Sequence, residues 1–258
     1  MIYLNAEQPR NVIMSVADFN GNVSTVTFEV VRDMSLLPKM PSIPLHQTLA
    51  EPEQVSIVSK PGIQVVWPKG SFYEKTPLNI EVMPSDGLGC FIPHFAITPT
   101  DAPVHYYYEI NIEGLAVPAA LRDKAFIARC EASGNIANCG ATWIGNNLST
   151  GVRVISTYTI MVDTIAPKIS ILHFGPKMTD WKRMAFKISD NFSAKDRGRD
   201  LIYDAWVDGQ WILMSLDGKS STLTHEFDGQ LLPGEHQLVI KVSDDRGNEA
   251  VLEKSFTL

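Results

Sequence analysis

Oxygen-bearing turn residues are the first side chains here whose types and spacing could do chemistry. Asp190-Asn191, Asp244-Asp245 and Asn248 sit between apolar stretches, where sequential loops at one end of a β-sandwich could gather them. Carboxylates and amides so placed are hard oxygen ligands of the kind that hold calcium in extracellular modules. The same residues have a simpler use. Asp18 and Asp244 can accept hydrogen bonds from the backbone of their own turns, with no ion and hence no cofactor.

The other reactive types are scattered. His46, His94, His105, His173, His225 and His236 form neither a His-x-His nor a His-Glu-x-x-His pair, so nothing local supports a hydrolytic zinc site. No Gly-x-Ser-x-Gly elbow and no phosphate loop occurs, and no thiol-enzyme signature surrounds Cys90. The chain is therefore read as non-catalytic. Cys130 and Cys139 flank a plausible hairpin loop and could be bridged or stand as separate thiols; neither spacing nor number gives a zinc ribbon. Aromatic residues offer another chemistry, stacking on sugar rings. Tyr106, Tyr107 and Tyr108 must alternate on a strand, so Tyr106 and Tyr108 are candidates for glycan or partner contact, along with Trp206 and Trp211. Packing into a core is the commoner fate of such rings.

These residues need strands to position them, and the sequence supplies a clear period of two. Val12-x-Met14-x-Val16-x-Asp18-x-x-Gly21-Asn22 returns as Leu238-x-Ile240-x-Val242-x-Asp244-x-x-Gly247-Asn248, each an alternating strand running into a turn tolerant of positive φ. Each copy reads as the last hairpin of a sandwich. The first has too few residues before it to close a sheet, so the chain reads as a segment of a longer modular protein, with any export signal upstream. An all-β fold of tandem β-sandwiches follows, the last immunoglobulin-like. The expected organisation is a terminal hairpin of a truncated domain over 1–33, a Pro-rich linker over 34–52, a middle sandwich over 53–163 and the immunoglobulin-like sandwich over 164–258. Within the last, Trp206-Val207-Asp208-Gly209-Gln210-Trp211 predicts a two-residue type I′ hairpin that pairs the two tryptophans across the strands and brings their indoles into contact.

Composition narrows the partners. With 29 acidic against 22 basic residues and a net charge of -7, no basic field exists for nucleic acid. No apolar run approaches the roughly 20 residues of a membrane helix, so no membrane span is expected.

Several stretches carry a resemblance. Ile63-Gln64-Val65-Val66-Trp67-Pro68-Lys69-Gly70-Ser71-Phe72-Tyr73, Val104-His105-Tyr106-Tyr107-Tyr108, Leu121-Arg122-Asp123-Lys124-Ala125 and 158–167 are similar to the accessory region of exported lysostaphin-type zinc metallopeptidases of Bacteroidetes. Phe186-Lys187-Ile188-Ser189-Asp190-Asn191-Phe192-Ser193, Asp208-Gly209-Gln210-Trp211-Ile212-Leu213-Met214 and Leu232-Pro233-Gly234-Glu235-His236 resemble the terminal sandwich of the same proteins. In that family an upstream domain carries the zinc ligands and cleaves peptidoglycan cross-bridges; none of those ligands has a counterpart here. The resemblance implies a periplasmic, cell-surface or secreted accessory region acting as spacer, docking platform or cover. Its implied partners are a peptidase domain or another envelope protein, and peptidoglycan or another glycan. A carbohydrate-binding or adhesion module is the alternative. The chain departs from the family pattern at Ala194-Lys195-Asp196-Arg197-Gly198-Arg199-Asp200, a charged loop that reads as a solvated connection or, through Arg197 and Arg199, a partner contact.

Overall fold

Alternating apolar residues become strands along nearly the whole chain, and the protein is all-β, with tandem β-sandwiches. The computed structural model describes residues 9–31, 48–84, 93–131, 133–229 and 231–258. Cys90, His46 and residues 34–47 of the expected linker lie outside the described residues. The chain divides into two units, Met1–Leu45 and His46–Leu258.

The first unit contributes one antiparallel hairpin, β1 (Arg10–Ala17) and β2 (Val23–Val30), with Ser15 opposite Thr25. Its turn is built by Asp18. Oδ1 accepts the backbone N–H groups of Asn20 and Asn22 at 2.9 Å each, and Oδ2 accepts the Asn22 amide at 2.7 Å.

The second unit holds two sandwiches. The middle one uses β3 (Thr48–Ala50), β4 (Ser56–Lys60), β5 (Ile63–Trp67), β6 (Thr76–Met83), β7 (His94–Thr98) and β8 (Tyr108–Glu113). A 3-10 turn at Ala119–Lys124 leads to β9 (Ala125–Cys130), β10 (Ile136–Asn138), β11 (Thr142–Ile144), β12 (Asn147–Val152) and β13 (Thr157–Val162). One sheet runs β11-β12-β8-β5-β4; in the other, β10-β9-β13-β7-β6-β3 lie side by side. Inward positions of both sheets meet in one core: Ile63, Val65 and Trp67 of β5 and Ile110 and Ile112 of β8 against Phe95, Ile97, Ile127, Tyr158 and Ile160. Burying each such aliphatic side chain contributes roughly 1.5–3 kcal/mol. The indole of Trp67 stacks on Tyr108 at 5.2 Å, and the Tyr108 and Tyr158 hydroxyls both donate to the Val154 carbonyl.

The last sandwich is made of β14 (Lys168–His173), β15 (Arg183–Ser189), β16 (Ser193–Ala194), β17 (Ile202–Val207), β18 (Gln210–Ile212), β19 (Ser215–Asp217), β20 (Thr222–Glu226), β21 (Glu235–Ser243) and β22 (Glu249–Thr257). Its sheets run β14-β15-β20-β19 and β18-β17-β21-β22. Met184, Phe186 and Leu223 of one face Ala205, Val207, Leu238, Ile240 and Val242 of the other. Asp208 and Gly209 at φ 51° and 79° close the type I′ turn, and Trp206 pairs with Trp211 in the expected register. The indoles do not form an aromatic pair among the described residues. Trp211 instead donates its N–H to Asp204 Oδ1 at 3.0 Å.

Three further differences from the sequence reading have physical causes. The end of the expected linker is a strand, because Thr48–Ala50 pairs with the edge of β6. Tyr106 and Tyr107 precede β8, so the three tyrosines do not alternate on one strand. Cys130 and Cys139 are not bridged: β9 and β10 pair Cys130 with Ile136, while Cys139 lies further along, beside β9, its N–H donating to the Ile127 carbonyl at 2.9 Å.

Candidate functional site

The candidate site is the junction between the two sandwiches, built by the charged loop that follows β15. β16 leaves its own sandwich and pairs in parallel with β10 of the middle one, Ala137 opposite Ser193 and Asn138 opposite Ala194. It thereby extends the middle module's sheet to seven strands. The Lys195 N–H donates to the Asn138 carbonyl at 2.8 Å, continuing the ladder. The chain then turns at Gly198, so close to the partner strand that a Cβ there would lie 2.2 Å from the Asn138 oxygen. Only glycine fits that approach.

Asp196 takes a left-handed φ of 51°, which Asp tolerates better than most residues, and turns its carboxylate inward. Oδ2 meets Arg129 Nη1 at 2.9 Å, with side-chain exposures of 7% and 10%, and Oδ1 accepts the Arg153 backbone N–H at 3.1 Å. Arg129 also binds Glu131 at 3.1 Å. Burial and the Asp196 carboxylate push the neighbouring Cys139 thiol well above its ordinary range. Arg197 lies over the Tyr107 ring, 4.8 Å from its centroid. The loop read from the sequence as a solvated connection or a partner contact is a clasp on the chain's own middle module.

An apolar contact backs the clasp. Phe192 packs on Phe126 with ring centroids 4.9 Å apart, in a cluster with Ala128, Met161 and Ile136. These residues lie on the outer face of β9 and β13, which explains why β9 is buried on both faces. The turn after β21 adds polar contacts. Arg246 Nη1 donates to the Ala125 carbonyl and Lys124 Nζ to the Arg246 carbonyl, both at 2.8 Å. Asn138 Nδ2 donates to Asp245 Oδ1 at 2.8 Å.

Between these contacts lie three carboxylates. Asp163 ends the middle module, Asp190 follows β15 and Asp244 follows β21, and one oxygen of each lies within 4.8 Å of the others. Asp163 Oδ1 accepts the Ile165 N–H at 3.0 Å and the Asn191 amide at 3.2 Å. Asp244 repeats the Asp18 turn: Oδ1 accepts the Arg246 and Asn248 N–H groups at 2.8 Å each, and Oδ2 the Asn248 amide at 2.7 Å. Asn248 also donates to the Asp163 carbonyl at 3.0 Å, tying the turn to the joint. Burial pushes the Asp190 carboxyl up to about 6, helped by repulsion from Asp163 and Asp244, and burial also raises Asp163.

The sequence-derived candidates thus divide. Asp190 and Asp244 converge; Asn191 and Asn248 serve as amide donors to the acidic groups; Asp245 is held by Arg246 and Asn138. Asp163 was not among the residues read from the sequence. Its signal was its place just before Thr164-Ile165-Ala166-Pro167, where one module hands over to the next. Tyr108, a candidate glycan contact, is 1% exposed and can touch no ligand. Tyr106 is exposed and packs edge-on to His105, which also meets the exposed Tyr73. Trp211 is exposed and Trp206 half-buried. Arg199 is exposed and, with Arg197, Tyr107 and Glu109, lines an open groove of about 840 Å³ along the junction.

Comparison with known proteins places a likeness on one module. Residues 47–163 match the family model of the Zu5-like domain. No curated protein matches the chain. Among solved structures, one match is a chain described as the extracellular domain of a hybrid two component system from B. thetaiotaomicron, with 9% identity and a TM-score of 0.26, covering 94% of this chain and 37% of that one. The present chain therefore spans little more than a third of that neighbour's length.

Proposed function

We propose that this chain is a non-catalytic accessory region of an exported cell-envelope protein, in which two sandwiches locked end to end act as a rigid spacer or docking platform. The observation that carries the reading is the clasp: a strand, a buried ion pair and an aromatic contact from one module are spent on fixing the other. Docking of this kind suits a part that must hold a neighbour at a set distance. The described histidines with resolved partners serve local structure. His105 bonds Tyr73, His225 the Leu213 carbonyl, His236 Asp208, and His173 stacks on Trp181. Among the described residues, no helix is long and apolar enough to cross a membrane.

The finer reading follows the sequence resemblance: the neighbour is a lysostaphin-type peptidase domain, and the surface approached is peptidoglycan. The strand order β14-β15-β20-β19 over β18-β17-β21-β22 supports an immunoglobulin-like terminal module, since it matches the ABED and C′CFG arrangement. A second reading, glycan binding, is favoured by the exposed group Tyr73, His105 and Tyr106. Incubation of the purified chain with isolated peptidoglycan tests both. The accessory reading expects retention on the sacculus or on the peptidase domain, with no release of fragments and no stoichiometric zinc by elemental analysis. Zinc-dependent release of fragments overturns it. Retention abolished by Tyr106→Ala favours the second reading.

A further inference from the structure

We propose that Asp163, Asp190 and Asp244 form a binding site for a hard divalent cation, calcium, at the joint between the two sandwiches. Convergence of acidic side chains alone would not carry this. The independent observation is a pair of orphaned oxygens. Asp163 Oδ2 and Asp190 Oδ1 are both sealed from solvent and accept no hydrogen bond, and Asp163 as a whole is 1% exposed. A buried carboxylate oxygen without a donor is costly, and native structures seldom leave one so without an ion or water to meet it.

The surrounding cations do not fill that role. Among the described residues no ion pair reaches Asp163, Asp190 or Asp244. Arg246, the nearest base in sequence, spends its guanidinium on Asp245 and the Ala125 carbonyl, and Lys124 spends its ammonium on the Arg246 carbonyl. The turn bonds of Asp244 do not exhaust it either. An ionised carboxylate has about four acceptor positions, and three are used: two on Oδ1 and one on Oδ2. One on Oδ2 remains for an ion.

The donor set selects the metal class. With only carboxylate oxygens and no His or Cys in the group, a borderline ion such as zinc is disfavoured. Calcium–oxygen distances of about 2.3–2.6 Å place opposite ligands of one ion about 4.6–5.2 Å apart. Three oxygens spread evenly around one calcium at those distances stand up to about 4.5 Å apart, so a group whose oxygens lie within 4.8 Å of one another needs at most a small closing movement to touch one ion. Magnesium, at about 2.0–2.1 Å with near-ideal octahedral demands, tolerates a narrower spread of about 3.6 Å.

The three ligands come from the end of the middle module and from two loops of the last one. An ion there pins the joint in addition to the clasp. This inference stands apart from the accessory reading, since a calcium-pinned joint is compatible with any function of the chain. Asp18 supplies an internal control: it makes the same turn as Asp244 on an exposed hairpin.

The test is calorimetric titration of the chelator-dialysed full chain with calcium, magnesium and, at matched ionic strength, potassium, with thermal unfolding in parallel. We expect one calcium site with a dissociation constant on the order of 0.1–1 mM, as in extracellular modules. The midpoint of unfolding should rise by roughly 3–8 °C at tenfold or greater excess over that constant. Asp190→Asn should abolish both signals, and Asp18→Asn should keep them. Absence of heat and of a midpoint shift in the wild-type chain overturns the proposal, whatever the variants do. So does an equal response to potassium, which is screening. A response to magnesium alone overturns the calcium assignment, and full retention of the response in Asp190→Asn overturns the site.

Discussion

Arg129 and Asp196 lie 2.9 Å apart although they are distant in sequence and belong to different sandwiches, and both side chains are almost fully shielded from water. Removing one member of a buried pair strands the other without a partner, at a cost of about 3–5 kcal/mol. Asp196→Ala should therefore lower the stability of the chain by about that amount in urea unfolding. Asp196→Asn, which keeps the acceptor for the Arg153 N–H, should cost less.

Gly198 has no room for a side chain beside the Asn138 carbonyl. Gly198→Ala should push the loop off β10, while leaving both hydrophobic cores intact. The expected signature is faster hydrogen exchange confined to 136–140 and 193–199, with the amides of β8 and β21 unchanged.

Phe192 fills the outer face of β9 and β13 as a half-buried ring. Phe192→Ala should cost about 1–3 kcal/mol, below the ~3–5 kcal/mol of a fully buried phenylalanine. Cys139 lies under the same clasp with its thiol pushed up by burial and by Asp196. Native protein should leave Cys139 unalkylated at mildly alkaline pH, and the Asp196→Ala chain should alkylate it; peptide mass spectrometry reads the difference.

His236 and Asp208 give the last sandwich a pH response. Nδ1 is 2.7 Å from Asp208 Oδ2 and Nε2 is 2.7 Å from the Leu232 carbonyl, so only the imidazolium satisfies both acceptors. The Asp208 hydrogen bond raises His236, and the same bond, with the Gln237 N–H, lowers Asp208. A raised histidine stabilises below its unfolded value near 6.5 and loses this as pH climbs through the folded value. A lowered aspartate stabilises above its unfolded value near 3.9 and loses this as pH falls through the folded value. The pair therefore contributes most between about pH 4 and 6.5. NMR titration should find His236 above the ordinary histidine range in the native chain and back near it in Asp208→Asn.

Periodicity carried the fold because most strands have one buried and one open face. Leu238, Ile240 and Val242 fall at every second position, and the structure buries each of them. The strand His94–Thr98 is less legible, its short Phe95 and Ile97 alternation lying close to Pro93 and Pro99. The clasp was less legible, since Lys195, Asp196 and Arg197 carry the composition of a solvated loop. The partner of Asp196, Arg129, is marked only as a charge following an apolar run, Ala125-Phe126-Ile127-Ala128. Two of the three acidic groups, Asp190 and Asp244, are readable from turn chemistry. Asp163 was not, because its role comes from the fold bringing a module boundary against two distant loops.

Backbone ¹⁵N relaxation on the full chain tests the locked pair of sandwiches most directly. The account predicts one shared rotational correlation time for residues of β4 to β13 and of β14 to β22, splitting into two shorter ones in Asp196→Ala combined with Gly198→Ala. Two separate, shorter correlation times in the unaltered chain would contradict it.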